Sequence, residues 1–195
     1  MHASSYEHMQ DLVARYIEFD RPISVMDIGS YDVNGSYRTI FDRPNVRYTG
    51  IDLESGPGVD LVLRSPYRLP FGSGTVDVVV SGQAFEHVEF FWMTWLEMVR
   101  VLKPGGIVLL IAPSRGSEHR YPQDCWRFYP DGYRALAKYA CCELLEVTTD
   151  WQPHPDPGSA EWGDTVGVFL KPHVTTMRTW LANHLARFAC NLMVK

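Results

Sequence analysis

The stretch Val25-Met26-Asp27-Ile28-Gly29-Ser30-Tyr31-Asp32-Val33-Asn34-Gly35-Ser36 passes from an apolar run into glycines and polar turn formers, then re-enters a helical pattern. It reads as strand, loop, helix. Gly29 can take backbone angles closed to other residues and lets a ligand lie against the main chain, and Asn34-Gly35 is a strong turn pair ahead of the helix. That helix, expected over residues 36–41, would direct its free N–H groups at whatever sits above the loop. A second strand over residues 47–53 also ends in an acid, Asp52. Nucleotide-binding α/β folds place at this point a carboxylate that accepts both ribose hydroxyls. Asp27 and Asp52 thus bracket a crevice of nucleoside size.

Working outward, strand one covers residues 23–28. Upstream, Tyr6, Met9, Leu12, Val13, Tyr16 and Ile17 recur at helical spacing until Arg21-Pro22, which predicts a helix over the active-site mouth or one sheet face. Downstream, the short connections imply parallel strands with right-handed crossovers. Ser55-Gly56-Pro57-Gly58 is a turn before a short strand over residues 59–63, and the unbroken valines of residues 76–81 predict a strand buried on both faces. Phe90, Phe91, Met93, Trp95, Met98 and Val101 form a long apolar helix, expected to stop at Lys103-Pro104-Gly105-Gly106. Strands follow at residues 107–111, 144–149 and 165–170, with a helix at 133–140. The last two strands, joined by the loop 151–164, read as an antiparallel hairpin. In the tail, residues 175–194, Met177, Trp180, Leu181, His184, Leu185 and Phe188 stand at helical spacing, as a lid on the sheet or a dimer face.

A chain of 195 residues with 46% hydrophobic content supports one sizeable core. The expectation is a single domain, with an N-terminal helix in residues 1–22, the core in 23–172 and a C-terminal helix in 173–195. The formal charge is −5 and no lysine or arginine run stands out, which argues against nucleic acid as a partner. Residues 1–10 lack a basic segment and an apolar core, and no apolar run reaches spanning length, so neither membrane insertion nor export is expected and the location is cytoplasmic. Cys125, Cys141, Cys142 and Cys190 form no Cys-x-x-Cys pair and are assigned neither metal nor disulfide.

The order of the pieces is more specific than any one of them. Asp27 ends strand one, Asp52 ends strand two, and Leu69-Pro70-Phe71 precedes Val76-Asp77-Val78-Val79-Val80. Phe85-Glu86-His87-Val88 and Arg100-Val101-Leu102-Lys103-Pro104-Gly105-Gly106 then follow. Over roughly residues 24–145 this order resembles the class I S-adenosylmethionine-dependent methyltransferases. The resemblance implies an α/β fold: a doubly wound, Rossmann-like, seven-stranded sheet with an antiparallel last strand, and S-adenosyl-L-methionine as cofactor. It also implies that Asp27, Gly29, Ser30 and the loop to Gly35 hold the methionine part, that Asp52, with Leu53 beside it, holds the ribose, and that Gln83 belongs to the cofactor site. Where the family often has an acid that reads the adenine amine, this chain has Ser65. A hydroxyl accepts a weaker hydrogen bond than a carboxylate, so adenine recognition would rest on backbone and flanking apolar groups.

Methyl transfer from a sulfonium requires alignment, with a base added when the nucleophile arrives protonated. Candidates for that chemistry follow strands four and five: His87 beside Glu86, and His119 and Asp124 in Glu118-His119-Arg120-Tyr121-Pro122-Gln123-Asp124. Next comes Trp126-Arg127-Phe128-Tyr129, so charged groups alternate with aromatic rings, the surface that a sugar or another polyol requires. Asp124 and Arg127, three residues apart, can pair with each other. Glu86, His87, His119 and Asp124 are residue types that could bind a divalent metal, but no tight ligand spacing demands one, and none is assigned. The sequence therefore reads as an O-methyltransferase of a small, carbohydrate-like acceptor. The alternatives are N-methylation of a small amine and a non-catalytic cofactor-binding subunit that lends its tail helix to a partner.

Overall fold

The computed structural model describes residues 2–173 and 177–193; the expected tail limits Thr175 and Val194 lie outside the described residues. Seven strands form one sheet in the order β3-β2-β1-β4-β5-β7-β6. They are β1 Ile23–Ile28, β2 Val46–Asp52, β3 Leu61–Val62, β4 Val76–Gly82, β5 Leu102–Pro113, β6 Glu143–Thr149 and β7 Asp164–Leu170. The helices are α1 Ala3–Tyr16, α2 Phe91–Val101, α3 Pro130–Ala140, the single turn α4 Pro157–Ala160, and α5 Met177–Met193. Strands β1 to β5 pair in parallel, while β7 runs antiparallel to both β5 and β6. The chain steps outward from β1 through β2 to β3 and then returns to place β4 on the other flank of β1, so strand order reverses between β1 and β4. Ligands of open α/β sheets bind beyond the carboxyl ends of the strands at such a point.

Alternation along the strands divides the core in two. Met26, Ile28, Val79, Val108, Leu110 and Phe169 face α2 and α3, where Trp95, Met98, Tyr133 and Leu136 are buried. Ile23, Val25, Val78, Val80, Leu109 and Ile111 face the other way, onto Met9, Leu12 and Val13 of α1 and onto Tyr37 and Phe41. Strand β4, which lies between β1 and β5, is buried on both faces along its valines, as the unbroken apolar run predicts.

Several elements differ from expectation for identifiable reasons. The expected first crossover helix is a 3₁₀ helix, Tyr37–Phe41, capped by Ser36, whose hydroxyl accepts from Arg38 N–H; five residues give no extended row of free N–H groups. Helix α1 stops at Tyr16, well before Pro22, and Asn45 Nδ2 holds the carbonyls of Phe19 and Arg21 in the linker at 2.7 and 3.0 Å. Lys103-Pro104-Gly105-Gly106 does not separate helix from strand but lies inside β5: two steps along β4, from Val76 to Val78, answer five along β5, from Leu102 to Ile107, so residues 103–106 bulge. Gly105, at φ +78°, turns that bulge and bonds to Lys171 O. In α5, Leu181, Leu185, Phe188 and Leu192 are exposed and Cys190 faces the core, so most of the tail's apolar stripe looks outward. No helix among the described residues is long and apolar enough to cross a membrane.

Candidate functional site

The ends of β1, β2, β4 and β5 share one edge of the sheet, and the groups singled out in the sequence gather along it. Gly29 follows β1 at φ +83°, with its amide bonded to Ile51 O at 3.0 Å. A Cβ on Gly29 would lie 2.3 Å from the Ala84 methyl, so the loop after β1 is pressed against the turn after β4. Beside it, Ser30 Oγ is buried without a hydrogen-bond partner. Gly35, at φ +128°, donates its amide to Asp32 Oδ1 at 2.6 Å and closes the loop on itself.

The two strand-end acids are not equivalent. Asp27 is buried, and its carboxylate accepts from the Tyr48 hydroxyl on the α1 side of the sheet; burial pushes its pKa up to about 7. It does not stand open on the crevice as the bracket of two acids would have it. Asp52 is partly exposed and accepts Tyr31 N–H at 3.0 Å on Oδ2, and Leu53 and Glu54 N–H at 2.6 and 3.3 Å on Oδ1. A carboxylate accepts about four hydrogen bonds, so three backbone donors leave room for one more strong donor. Around Asp52, Tyr31, Leu53 and Val62 are exposed apolar side chains. Val62 is its register partner on β3. A carboxylate ringed by exposed apolar groups suits an adenosine, whose ribose is polar and whose base is flat and apolar. Ser65 Oγ accepts Tyr67 N–H at 3.2 Å and thus serves its own turn. Gln83, a non-glycine residue at φ +56°, donates from Nε2 to Asp164 Oδ1 at 2.8 Å, linking the β4 end to β7.

The second half of the site is built from the loop after β5 laced to the turn after β4. Cys125 N–H donates to Glu86 O at 2.7 Å, Gln123 Nε2 to His87 O at 2.9 Å, and Trp126 Nε1 to Val88 O at 3.1 Å. His87 Nδ1 meets Gln123 O at 2.6 Å, which makes Nδ1 the protonated nitrogen and leaves Nε2 with its lone pair. Burial lowers the His87 pKa. Its ring packs edge-on against His119, with centroids 4.9 Å apart. Glu86 is fully buried, neither carboxyl oxygen has a partner, and burial pushes its pKa up to about 8.

Asp124 is committed to shaping the loop. Arg127 grips it at 2.6 and 2.8 Å, its Oδ2 accepts His119 N–H at 2.9 Å, and the guanidinium holds its pKa well below the usual carboxylate range. The pair foreseen for Asp124 and Arg127 forms. With its oxygens so engaged, Asp124 is a positioning residue behind His119, whose Nδ1 stands 3.4 Å away, rather than a group of its own in the reaction.

Two neighbours of this cluster carry no local signal in the sequence. Trp162, before β7, meets the His119 ring at 4.6 Å and stacks on His2 at 5.1 Å. Ser4 at the start of α1 donates to buried Asp164 at 3.0 Å. Helix α1 therefore closes the edge of the site as well as covering one face. A concavity of about 490 Å³ lined by Pro22, Ser24, Asn45, Asp77 and Lys103 lies at the opposite edge, where the parallel strands begin, away from all these groups.

A family profile described as a methyltransferase domain matches residues 27–110. An uncharacterized methyltransferase of Mycobacterium leprae (strain TN) is 29% identical over 164 residues, covering 74% of this chain and 58% of the relative. Another from Mycobacterium sp. (strain JLS) is 35% identical over 130 residues, covering 60% and 49%. The chain thus spans between about half and three-fifths of the length of these relatives. Among solved structures, the 1,6-didemethyltoxoflavin-N1-methyltransferase of Burkholderia thailandensis, determined with 1,6-didemethyltoxoflavin and S-adenosylhomocysteine, superposes with a TM-score of 0.67 at 18% identity, covering 87% of this chain and 79% of that one.

Proposed function

We propose that the chain is a class I S-adenosylmethionine-dependent methyltransferase, as its match to a methyltransferase-domain profile supports, and that it transfers the methyl group of S-adenosylmethionine to an oxygen of a small, hydroxylated, carbohydrate-like acceptor. The observation that carries the acceptor is the meeting of Glu86, His87 and His119, from two separate loops, beside the aromatic side chains Tyr121 and Trp162. Bound S-adenosylmethionine supplies an electrophilic methyl group on a sulfonium. The loop from Gly29 to Gly35 would receive its amino-acid part, with Ser30 Oγ as an available partner. Asp52 would take a ribose hydroxyl, and Tyr31, Leu53 and Val62 would flank the base.

At the other end, the imidazole and carboxyl cluster would bind the acceptor hydroxyl and draw off its proton, while the exposed Tyr121 would offer a flat face to the carbon skeleton. Asp124 and Arg127 hold His119 in place. An amine acceptor is the competing reading, favoured by the N1-methyltransferase among the structural neighbours; it needs no proton acceptor when the amine arrives neutral.

The test pairs binding with turnover. His119→Ala should leave S-adenosylhomocysteine affinity within about twofold, since the cofactor groups lie on other loops. Methylation of a polyol acceptor should fall by about 10²–10⁴-fold. Loss of cofactor affinity together with activity would place His119 in the cofactor site instead. Turnover confined to amines and untouched by His119→Ala would favour N-methylation, and no turnover on any acceptor would leave a cofactor-binding subunit.

A further inference from the structure

We propose that Glu86, His87 and His119 form a binding site for one divalent transition-metal ion of the zinc type. Each residue offers a ligand atom, and the three atoms lie within 4.8 Å of one another. His87 Nε2 and Glu86 Oε1 are 3.6 Å apart. A metal with bonds of about 2.1 Å holds tetrahedral ligands about 3.4 Å apart, so this pair already has the separation and the third ligand needs only a side-chain adjustment of roughly 1 Å.

The independent observation is Glu86 itself. It has no exposed surface, and both its oxygens lack a hydrogen-bond partner. A buried carboxyl without partners is costly, and coordination to a cation is one of the few arrangements that removes the penalty. The surrounding charges agree: Asp164 and Asp124 act on Glu86 alongside Arg127, two carboxylates against one guanidinium.

One of the two imidazoles already has the outer partner of a metal-bound histidine. Gln123 O takes Nδ1–H of His87 at 2.6 Å and so presents Nε2 as a ligand. Asp124, fixed by Arg127, accepts His119 N–H at 2.9 Å and so holds the backbone that carries the second imidazole. Two imidazoles and one carboxylate suit zinc and its first-row neighbours rather than magnesium or calcium, which prefer oxygen ligands. A second cluster, His8, Asp150 and Asp164, offers a contrast. There His8 is bonded to Asp150 at 2.8 Å, and Asp164 accepts from Ser4 and Gln83, so its atoms are already satisfied.

Three protein ligands leave a position for an acceptor oxygen. A hydroxyl bound there would lose its proton to water more readily, and the imidazoles would act as ligands instead of as proton acceptors. That use of the metal rests on the methyl-transfer reading above; the binding does not.

The test uses cobalt(II) as a coloured probe on metal-stripped protein, with S-adenosylhomocysteine binding measured on every sample as the control for folding. One cobalt per chain should bind, with visible d–d bands of a nitrogen and oxygen site that zinc abolishes. Glu86→Gln and His119→Ala should each weaken binding by at least about a hundredfold, and His8→Ala should not. Protein that binds S-adenosylhomocysteine but shows no saturable cobalt bands overturns the proposal, as does undiminished binding in either Glu86→Gln or His119→Ala. Stoichiometric cobalt binding without methylation of any hydroxylated acceptor would sustain the metal site and remove the O-methylation reading.

Discussion

Asp52 would carry two duties through one carboxylate. Its oxygens gather the amides of Tyr31, Leu53 and Glu54 and so set the shape of both strand-end loops, and the remaining acceptor capacity is what a ribose hydroxyl would use. A charge-assisted hydrogen bond contributes roughly 1.5–3 kcal/mol, which is at least about tenfold in affinity. Asp52→Asn keeps the size and one acceptor oxygen while removing the charge, so it separates the two duties better than alanine. Titration calorimetry of the folded variant should show S-adenosylhomocysteine bound about tenfold or more weakly; unchanged affinity would take the ribose away from Asp52. Asp27, by contrast, looks from the sequence like a second acid of the same crevice, yet its carboxylate turns to Tyr48. The strand period puts it on the α1 face, but that its partner there is a tyrosine one strand away follows from register, which the local pattern does not contain.

Between elements, the loop after β1 approaches the turn after β4 too closely for a side chain at Gly29. Gly29→Ala would place a methyl 2.3 Å from Ala84 Cβ at a backbone φ of +83°, which side chains avoid. Left-handed strain of roughly 1–2 kcal/mol and overpacking of roughly 1–3 kcal/mol add to a loss of about 2–5 kcal/mol. The double variant Gly29→Ala, Ala84→Gly should recover only the packing share, because the backbone strain remains. Urea unfolding of the parent and the two variants would measure this, and full recovery would show that the backbone angle carries no penalty. The glycine was legible as a close-approach position, whereas the identity of what approaches was not. The same division runs through the other elements. Strands β1, β4, β6 and β7 were legible to within one residue, since their apolar runs are bounded by turn formers. Residues 103–106 misled because proline and glycine, which end helices, also build the bulge inside β5. In the candidate site, His87, His119 and the Asp124–Arg127 pair could be found on single loops. Trp162, which packs on His119 from a distant part of the chain, and His2, which stacks on Trp162, could not.

At the scale of the whole molecule, two buried aspartates at opposite edges of the sheet give stability opposite dependences on pH. Asp77, at the edge where the parallel strands begin, accepts from Lys103 and Arg21 at 2.8 Å each and from Ser24 N–H at 2.9 Å. Burial acts to raise its pKa, but these partners outweigh it and hold the carboxyl well below its ordinary value. Its contribution is therefore present above the unfolded pKa of about 3.9 and is lost as pH falls through the folded value. For Asp27 the sign is reversed. Burial raises its folded pKa to about 7, so the protonated form is favoured by folding. Its contribution is complete below about 3.9 and is lost as pH rises through about 7. Asp27→Asn, which keeps a neutral group beside Tyr48, should gain melting temperature relative to the parent on going from pH 5 to pH 8. Asp77→Asn should instead be less stable at pH 7, by about 2 kcal/mol once the exposure of its two cations is allowed for, with the deficit shrinking toward pH 3. Melting curves of the three proteins at pH 3, 5 and 8 decide both. If Asp27→Asn runs parallel to the parent between pH 5 and 8, Asp27 does not titrate in that window, and the burial of its carboxylate beside Tyr48 is balanced by partners beyond those described.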